Sequence, residues 1–481
     1  MSSFTGDRRE LPVHLPWREA MERALYGPSG FFVSGAGPAA HFRTSVHASP
    51  VFASALLRLI DQLDSALGFP ARFDVVDVGA GRGELLRALS AGVSGGPSRQ
   101  VAVRVSGEPR SAQVAVGVSG EPDCSGRSGL IPPRSGFPET LTTAAAVDSA
   151  SLTPASGSAG PSPDAVVPLA KRIRFTAVEL APRPDDLPEH ITWVHEIPAN
   201  LTGLLLATEW LDNVPLDIAT YTDDGWRYLL VDPTSGVETT GDQVSPEDAE
   251  WLDTWWPLPV DGGPDALPPE QRVIAADPTV TDGRRSTGSG FRAARPAEGS
   301  SLTARSRPGC PETSTDLTLR VEIGRTRDEA WAAAVSHVDR GLALAVDYGH
   351  LRGNRPFGGS LTGYRSGRQV PPAPDGSCDV TAHVAMDSVA SAGERVARCA
   401  YLLESQRAGL GALGADGGRP PLALAVRDPA GYVRALAEAS AAAELTDPTG
   451  LGGHWWLWQP VGLPDDRPLP GRSAPADFRQ R

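Results

Sequence analysis

Three glycines and four acids carry the chemistry legible in this chain. Gly79, Gly81 and Gly83 follow the apolar run Phe73-Asp-Val-Val-Asp-Val78 and precede Leu85, Leu86 and Leu89 at helical spacing. The pattern predicts a strand, a glycine loop and a helix, a turn in which a ligand can approach bare backbone. The spacing is not that of a dinucleotide loop, and no Lys-Ser/Thr follows to build a phosphate cradle. Asp77, just ahead of the loop, would repel a pyrophosphate and hold an ammonium group. Glu209 and Asp212 follow a second apolar run, Leu204–Ala207. Open α/β sheets bind ligands at such strand ends. There the two carboxylates either orient a nucleophile or cap a turn before Pro215.

The fourth acid is displaced. A nucleoside site of this kind calls for an acid about 20 residues past the glycine loop, at the end of the second strand, to hold ribose hydroxyls. None suitable stands there. Residues 91–170 are dominated by Gly, Ser, Pro and Ala, and Val101-Ala-Val-Arg-Val-Ser-Gly-Glu-Pro recurs as Val114-Ala-Val-Gly-Val-Ser-Gly-Glu-Pro. Two copies are too few for a solenoid. The composition reads as a disordered, low-complexity insert, dispensable to the core. With it set aside, Glu179 at the end of Ile173-Arg-Phe-Thr-Ala-Val falls at the ribose position. The cofactor that suits an ammonium-holding acid, a bare loop and a ribose acid is S-adenosylmethionine. Its expected contacts are Asp77, Gly79, Gly81, Gly83 and Glu179, and no metal is expected.

Other elements must position these groups. Helices are predicted over 17–26, 50–67, 245–256, 328–339, 389–409 and 424–443, the last interrupted near Pro429. Strands are predicted at 191–194, 317–323, 341–347 and 455–458, with a hairpin at 216–231. Strands alternating with helices imply an α/β fold with a mostly parallel sheet. The chain is then read as an N-terminal helical region (1–70), a core split between 71–90, 171–232 and 317–460, and a helical cap (233–276). A second disordered insert (277–316) and a disordered tail (461–481) complete it.

The sequence holds 481 residues with a net charge of −14. An acidic balance argues against a nucleic-acid surface, no apolar run reaches a membrane span, and the N-terminus lacks a signal-peptide core. Cysteines at 124, 310, 378 and 399 form no C-x-x-C pair. That spacing speaks against zinc or a disulfide framework and for the cytoplasm.

Seven pieces occur in an order that resembles the MidA-like family of S-adenosylmethionine-dependent methyltransferases. They are Leu25-Tyr-Gly-Pro-Ser-Gly-Phe-Phe, Phe42-Arg-Thr-Ser, Asp77-Val-Gly-Ala-Gly-Arg-Gly-Glu-Leu, Val178-Glu-Leu, Glu209-Trp-Leu-Asp-Asn-Val-Pro, Gly341-Leu-Ala-Leu-Ala-Val-Asp-Tyr-Gly and Cys378-Asp-Val-Thr-Ala-His-Val. The family includes the mitochondrial complex I assembly factor that methylates an arginine. The resemblance implies a class I, Rossmann-like core with added helical elements that build a substrate cleft. This chain carries His41 and His47 where the family usually has carboxylates, and Thr208 where it has Asn. Carboxylates would grip a guanidinium through paired hydrogen bonds.

Methyl transfer is an in-line displacement, so positioning and removal of a proton from the nucleophile are the protein's tasks. Glu209, Asp212 and His47 are the candidate catalytic residues. Two functions remain open. One is methylation of a protein side chain, arginine among the options; the other is a catalytically impaired, cofactor-binding homologue serving as an assembly or interaction partner.

Overall fold

The computed structural model describes residues 14–34, 50–94, 167–257, 319–415 and 417–463. Its centre is a seven-stranded sheet of β1 (Phe73–Val78), β2 (Ile173–Val178), β3 (Ile191–Val194), β4 (Leu201–Thr208), β5 (Val338–Asp347), β6 (Leu402–Ser405) and β7 (Trp455–Val461). They lie in the order β3-β2-β1-β4-β5-β7-β6. The pairings from β3 through β5 are parallel, whereas β7 runs antiparallel to both β5 and β6. The order reverses direction between β1 and β4. In doubly wound sheets such a switch point opens a crevice at the carboxyl ends of the strands.

The central strands read as continuous apolar runs because both faces are covered. Alternate residues feed two cores. Phe73, Val75, Leu204, Leu206, Leu342 and Leu344 join a cluster with α2 (Pro50–Ala66) and α3 (Glu84–Ser94). Val76, Val78, Leu205, Ala207, Ala343 and Ala345 join the other, with α4 (Arg325–Ser336) and α5 (Met386–Ala397). In α2 the predicted stripe Phe52, Leu56, Leu59, Ile60 and Leu63 is fully buried. A buried ion pair fixes the base of the sheet. Arg172 donates to both oxygens of Asp64, at 2.8 and 2.7 Å, and to the carbonyls of Pro70 and Val167. It thereby ties the segment entering β2 to the end of α2.

Several expectations need correction. The central sheet is mostly parallel, with β7 antiparallel to its neighbours, and the sheets beyond it are antiparallel. A five-stranded antiparallel sheet is formed by Leu15–Pro16, Asp217–Thr222, Gly225–Val231, Glu238–Gln243 and Val321–Ile323. Thr362–Arg365, Arg368–Val370 and Asp379–Thr381 make a second antiparallel sheet. The added elements are thus strands as much as helices. The helical cap over 233–276 contains the strand Glu238–Gln243 before its helix Pro246–Trp255. The predicted helix 389–409 breaks into α5, strand β6 and the helix Gln406–Ala412. There Arg398 adopts a left-handed φ of 53° that ends α5. The 91–170 insert is too wide at both ends, since Ser94 closes α3 and Leu169–Arg172 is helical. The rest of it, the 277–316 insert and the tail from 464 lie outside the described residues. Among the described residues no helix is long and apolar enough to cross a membrane.

Candidate active site

The crevice at the β1/β4 switch point is a cavity of about 530 Å³. Its floor is the glycine loop. Gly79 and Ala80 donate their amides to the carbonyl of Val178, at 3.0 and 3.3 Å. This pins the loop to the end of β2. Gly79 takes a positive φ of 71°, and a Cβ there would come within 2.8 Å of Trp210. Both the conformation and the close approach require glycine. Gly81 and Gly79 line the cavity. Gly83 does not: a Cβ on it would meet Leu187 at 2.7 Å. Gly83 takes a positive φ of 77° and packs against the segment after β2.

Asp77 lines the cavity beneath the loop. Burial, with Glu179 and Glu84 nearby, pushes its carboxyl up to about 8. A buried acid facing other acids is held neutral near pH 7 and ionises once a cation arrives. Glu179 closes the loop from the other side. Its Oε2 accepts from the Gly81 amide at 3.0 Å, and its Oε1 from Leu180 and Ala181 at 2.7 and 3.1 Å. The predicted ribose acid is therefore also the clasp of the glycine loop. His195 Nδ1 lies 2.8 Å from the Glu179 carbonyl and donates to it.

Across the switch point, Glu209 adopts a left-handed φ of 51°. For a side chain other than glycine or asparagine such backbone costs about 1–3 kcal/mol and concentrates at functional sites. The Glu209 amide donates to Val346 at 2.7 Å, anchoring the turn to β5. The next residue, Trp210, swings over Gly79. Asp212 follows in a short 3₁₀ turn, Leu211–Asn213, and is buried in the cavity wall. Its Oδ2 accepts hydrogen bonds from Tyr348 and, at 2.8 Å, from Thr381. Its Oδ1 is buried with no hydrogen-bond partner. Burial raises the Asp212 carboxyl above its ordinary value.

Two further carboxylates surround this turn. Asp347, at the end of β5, accepts from the amides of Leu211 and Asp212 at 3.0 and 3.3 Å. Asp379 accepts from the Asn213 side chain at 2.8 Å. Burial raises both well above the usual carboxylate range, with Asp212 adding to each. Tyr26, from α1 (Trp17–Tyr26), reaches the Asn213 carbonyl at 3.2 Å, and burial raises its hydroxyl too. Arg327 underlies the whole arrangement. Its guanidinium donates to the carbonyls of Asp212, Val214, Ala382 and His383 at 2.5 to 3.1 Å.

The structure thus brings Asp77, Gly79, Gly81, Glu179, Glu209 and Asp212 to one cavity. His47 and His41 lie outside the described residues. Arg327, Asp379, Thr381 and Tyr26 were not singled out from the sequence. Three of them sit inside quoted motifs, Leu25-Tyr-Gly-Pro-Ser-Gly-Phe-Phe and Cys378-Asp-Val-Thr-Ala-His-Val. Those motifs were the available signal. Arg327 sits in a helix whose sequence gives none.

A family described as "Putative S-adenosyl-L-methionine-dependent methyltransferase" matches residues 168–403, from β2 to β6. The chain is an S-adenosylmethionine-dependent methyltransferase. The match begins after the glycine loop, so the loop, Asp77 and their fit to the cofactor are independent support from the same crevice. No curated protein sequence matches the methyltransferase. Two solved structures resemble its fold. One is a superfamily member and "likely methyl transferase" from Burkholderia thailandensis bound to S-adenosyl-homocysteine, at 17% identity and TM-score 0.56, covering 94% of this chain and 89% of that one. The other, an uncharacterized protein of the same superfamily from the same organism, shows 17% identity and TM-score 0.54 over 95% and 90% of the two chains.

The cavity fits the cofactor by its own chemistry. A Cβ at position 79 would strike Trp210, which lines the same cavity, and among the described residues no cation pairs with Asp77. When bound, S-adenosylmethionine supplies a methyl group activated by a sulfonium. Asp77 would hold the amino group, Glu179 the ribose, and the Gly79–Gly81 backbone the body of the ligand.

Proposed function

We propose that this methyltransferase has a class I, Rossmann-like core and methylates a nitrogen of a protein side chain, with arginine the first candidate. The observation that carries the reading is Asp212. One of its carboxylate oxygens is buried in the cavity wall with no partner. A buried acceptor left open costs about 1–3 kcal/mol, and more when charged, so a donor on a ligand gains that amount by completing it. Glu209 shares the wall, and Asp347 and Asp379 lie behind it over the Arg327 guanidinium. A wall of carboxyl groups with an open acceptor suits a methyl acceptor rich in N–H groups. A guanidinium fits paired carboxylates best because its donors are planar and fixed.

In this reading Asp212 orients the acceptor and takes its proton, a role its raised pKa suits. Glu209 presents a second carboxylate from its strained turn. Trp210 covers the glycine loop and excludes water from the reacting side. The cavity is open, so the acceptor enters on a long side chain from a protein surface. The test is incubation with methyl-labelled S-adenosylmethionine and host lysate, followed by hydrolysis of labelled protein and identification of the methylated amino acid. A labelled protein yielding methylarginine is the expected result. Label confined to small molecules would reject a protein substrate, and label on another residue would reject arginine.

A further inference from the structure

Asp212 is held on one side only, and the groups that hold it have no role in the chemistry described so far. Tyr348 follows the last residue of β5, and Thr381 ends the strand Asp379–Thr381. Their hydroxyls lie 2.6 Å apart and converge on the same oxygen, Oδ2. Each hydroxyl has one proton to give, so Oδ2 takes two donors when both point to it and one when the hydroxyls bond to each other. The other oxygen, Oδ1, is buried with no hydrogen-bond partner in a residue that lines the cavity.

Neither hydroxyl is needed to fill space. The Tyr348 ring already packs edge-on to His383 and tilted against His454, with centroids 5.2 and 5.5 Å away. Thr381 is buried, its side chain 3.3 Å from the Asp212 carbonyl as well. Phenylalanine and valine would keep those packing surfaces. What the hydroxyls add is a direction for the Asp212 carboxylate and stabilisation of its charged form.

We propose that Tyr348 and Thr381 are positioning residues that fix Oδ2 of Asp212 so that Oδ1 is presented to the methyl acceptor. This rests on the reading of Asp212 as the group that meets the acceptor. The other titratable and charged groups around Asp212 come from other elements: Arg327 from α4, Asp347 from β5, Asp379 from the neighbouring strand, Tyr26 from α1, and His383 and Tyr364. None of these hydrogen-bonds to its carboxylate oxygens. Removing a hydroxyl therefore changes the pull on the carboxylate without changing the charges around it.

The experiment compares wild type with Tyr348→Phe, Thr381→Val and Asp212→Asn. Three quantities are measured on the full-length protein: S-adenosylhomocysteine affinity by calorimetry, the pH titration of Asp212 by aspartate-selective ¹³C NMR, and the pH profile of label transfer from S-adenosylmethionine to lysate protein. In Tyr348→Phe, homocysteine-cofactor affinity should stay within about threefold. The Asp212 titration and the acid limb of the rate should both move up by about one pH unit, because a charge-stabilising hydrogen bond is lost. The rate at neutral pH should fall about tenfold. Thr381→Val should move the same quantities in the same direction, which guards against a single variant that misfolds. An unmoved Asp212 titration in both variants would overturn the positioning role, whatever the rate does. Turnover at the wild-type rate in Asp212→Asn would instead overturn the parent reading of Asp212, and the NMR titration would still decide what holds it.

Discussion

Two buried aspartates at opposite ends of the same sheet are treated in opposite ways. Asp64, at the base, meets the Arg172 guanidinium with both oxygens, and both side chains are nearly sealed from solvent. Asp212, at the carboxyl end, has hydroxyls on one oxygen and nothing on the other. A closed pair can only hold structure. A half-closed one leaves buried bonding capacity for a visitor. The contrast is local: a satisfied pair secures the entry to β2, and Asp212 keeps an unsatisfied oxygen in the wall of the cavity.

The comparison can be broken at either end. Asp212→Asn should keep the shape of the turn and lower turnover by roughly 100- to 10,000-fold, the range of a lost general base, with S-adenosylhomocysteine affinity unchanged by calorimetry. Asp64→Ala should do the reverse. Stranding Arg172 in the interior should cost about 3–5 kcal/mol of stability in chemical denaturation. Turnover per folded molecule should be unaffected well below the melting point. A variant of Asp64 that melted like wild type would mean the pair is dispensable and the contrast empty.

Asp77 sharpens the contrast through pH. Its carboxyl stands near 8 in the fold against an ordinary 3.8. Between those values the folded protein carries a proton at this site that the unfolded chain has released. Its contribution therefore weakens stability progressively as pH rises from about 4 to 8, and levels off above. The melting temperature of the ligand-free Asp77→Asn variant should accordingly exceed that of wild type by more at pH 8 than at pH 5. Cofactor binding should release a proton at pH 7, seen as calorimetric heats that vary with the buffer's ionisation enthalpy. The same variant should lose about 10- to 100-fold in cofactor affinity, a charge-assisted bond of roughly 1.5–3 kcal/mol. The smallest effect is expected outside the described residues. Replacing 95–166 by a short Gly/Ser linker should leave melting and cofactor affinity near wild type, since its composition offers little apolar area to bury. Loss of folding would contradict that.

Much of the cofactor half was legible because its signals are local. The glycine loop, Asp77 and the strand that precedes them form one run of sequence, and Glu179 needed only the removal of a compositionally distinct stretch. The acceptor half was harder to read because its contacts are long-range. Thr381 and Asp379 reach the Asp212 turn from a strand more than 160 residues away, and periodicity carries no trace of that. Arg327 is an ordinary helical arginine until its four carbonyl partners are seen. Gly83 belongs to the same motif, yet its close approach to Leu187 could not be read from its spacing. β6 was absorbed into a helix because Leu402–Ser405 lies half-buried at the sheet edge, where apolar alternation is weak.

The order of the strands also sets a clock. β1 lies between β2 and β4, and pairs Phe73 with Ile173 and Asp74 with Gly203. Each partner is about a hundred residues or more further along the chain. At synthesis rates of roughly 5–20 residues per second, the nascent β1 waits about 5–20 seconds before either neighbour exists. Throughout that interval its apolar run has both edges open, the condition under which chaperones engage a chain. The glycine loop cannot be clasped until Glu179 arrives, so competence to bind the cofactor is acquired late in the protein's making.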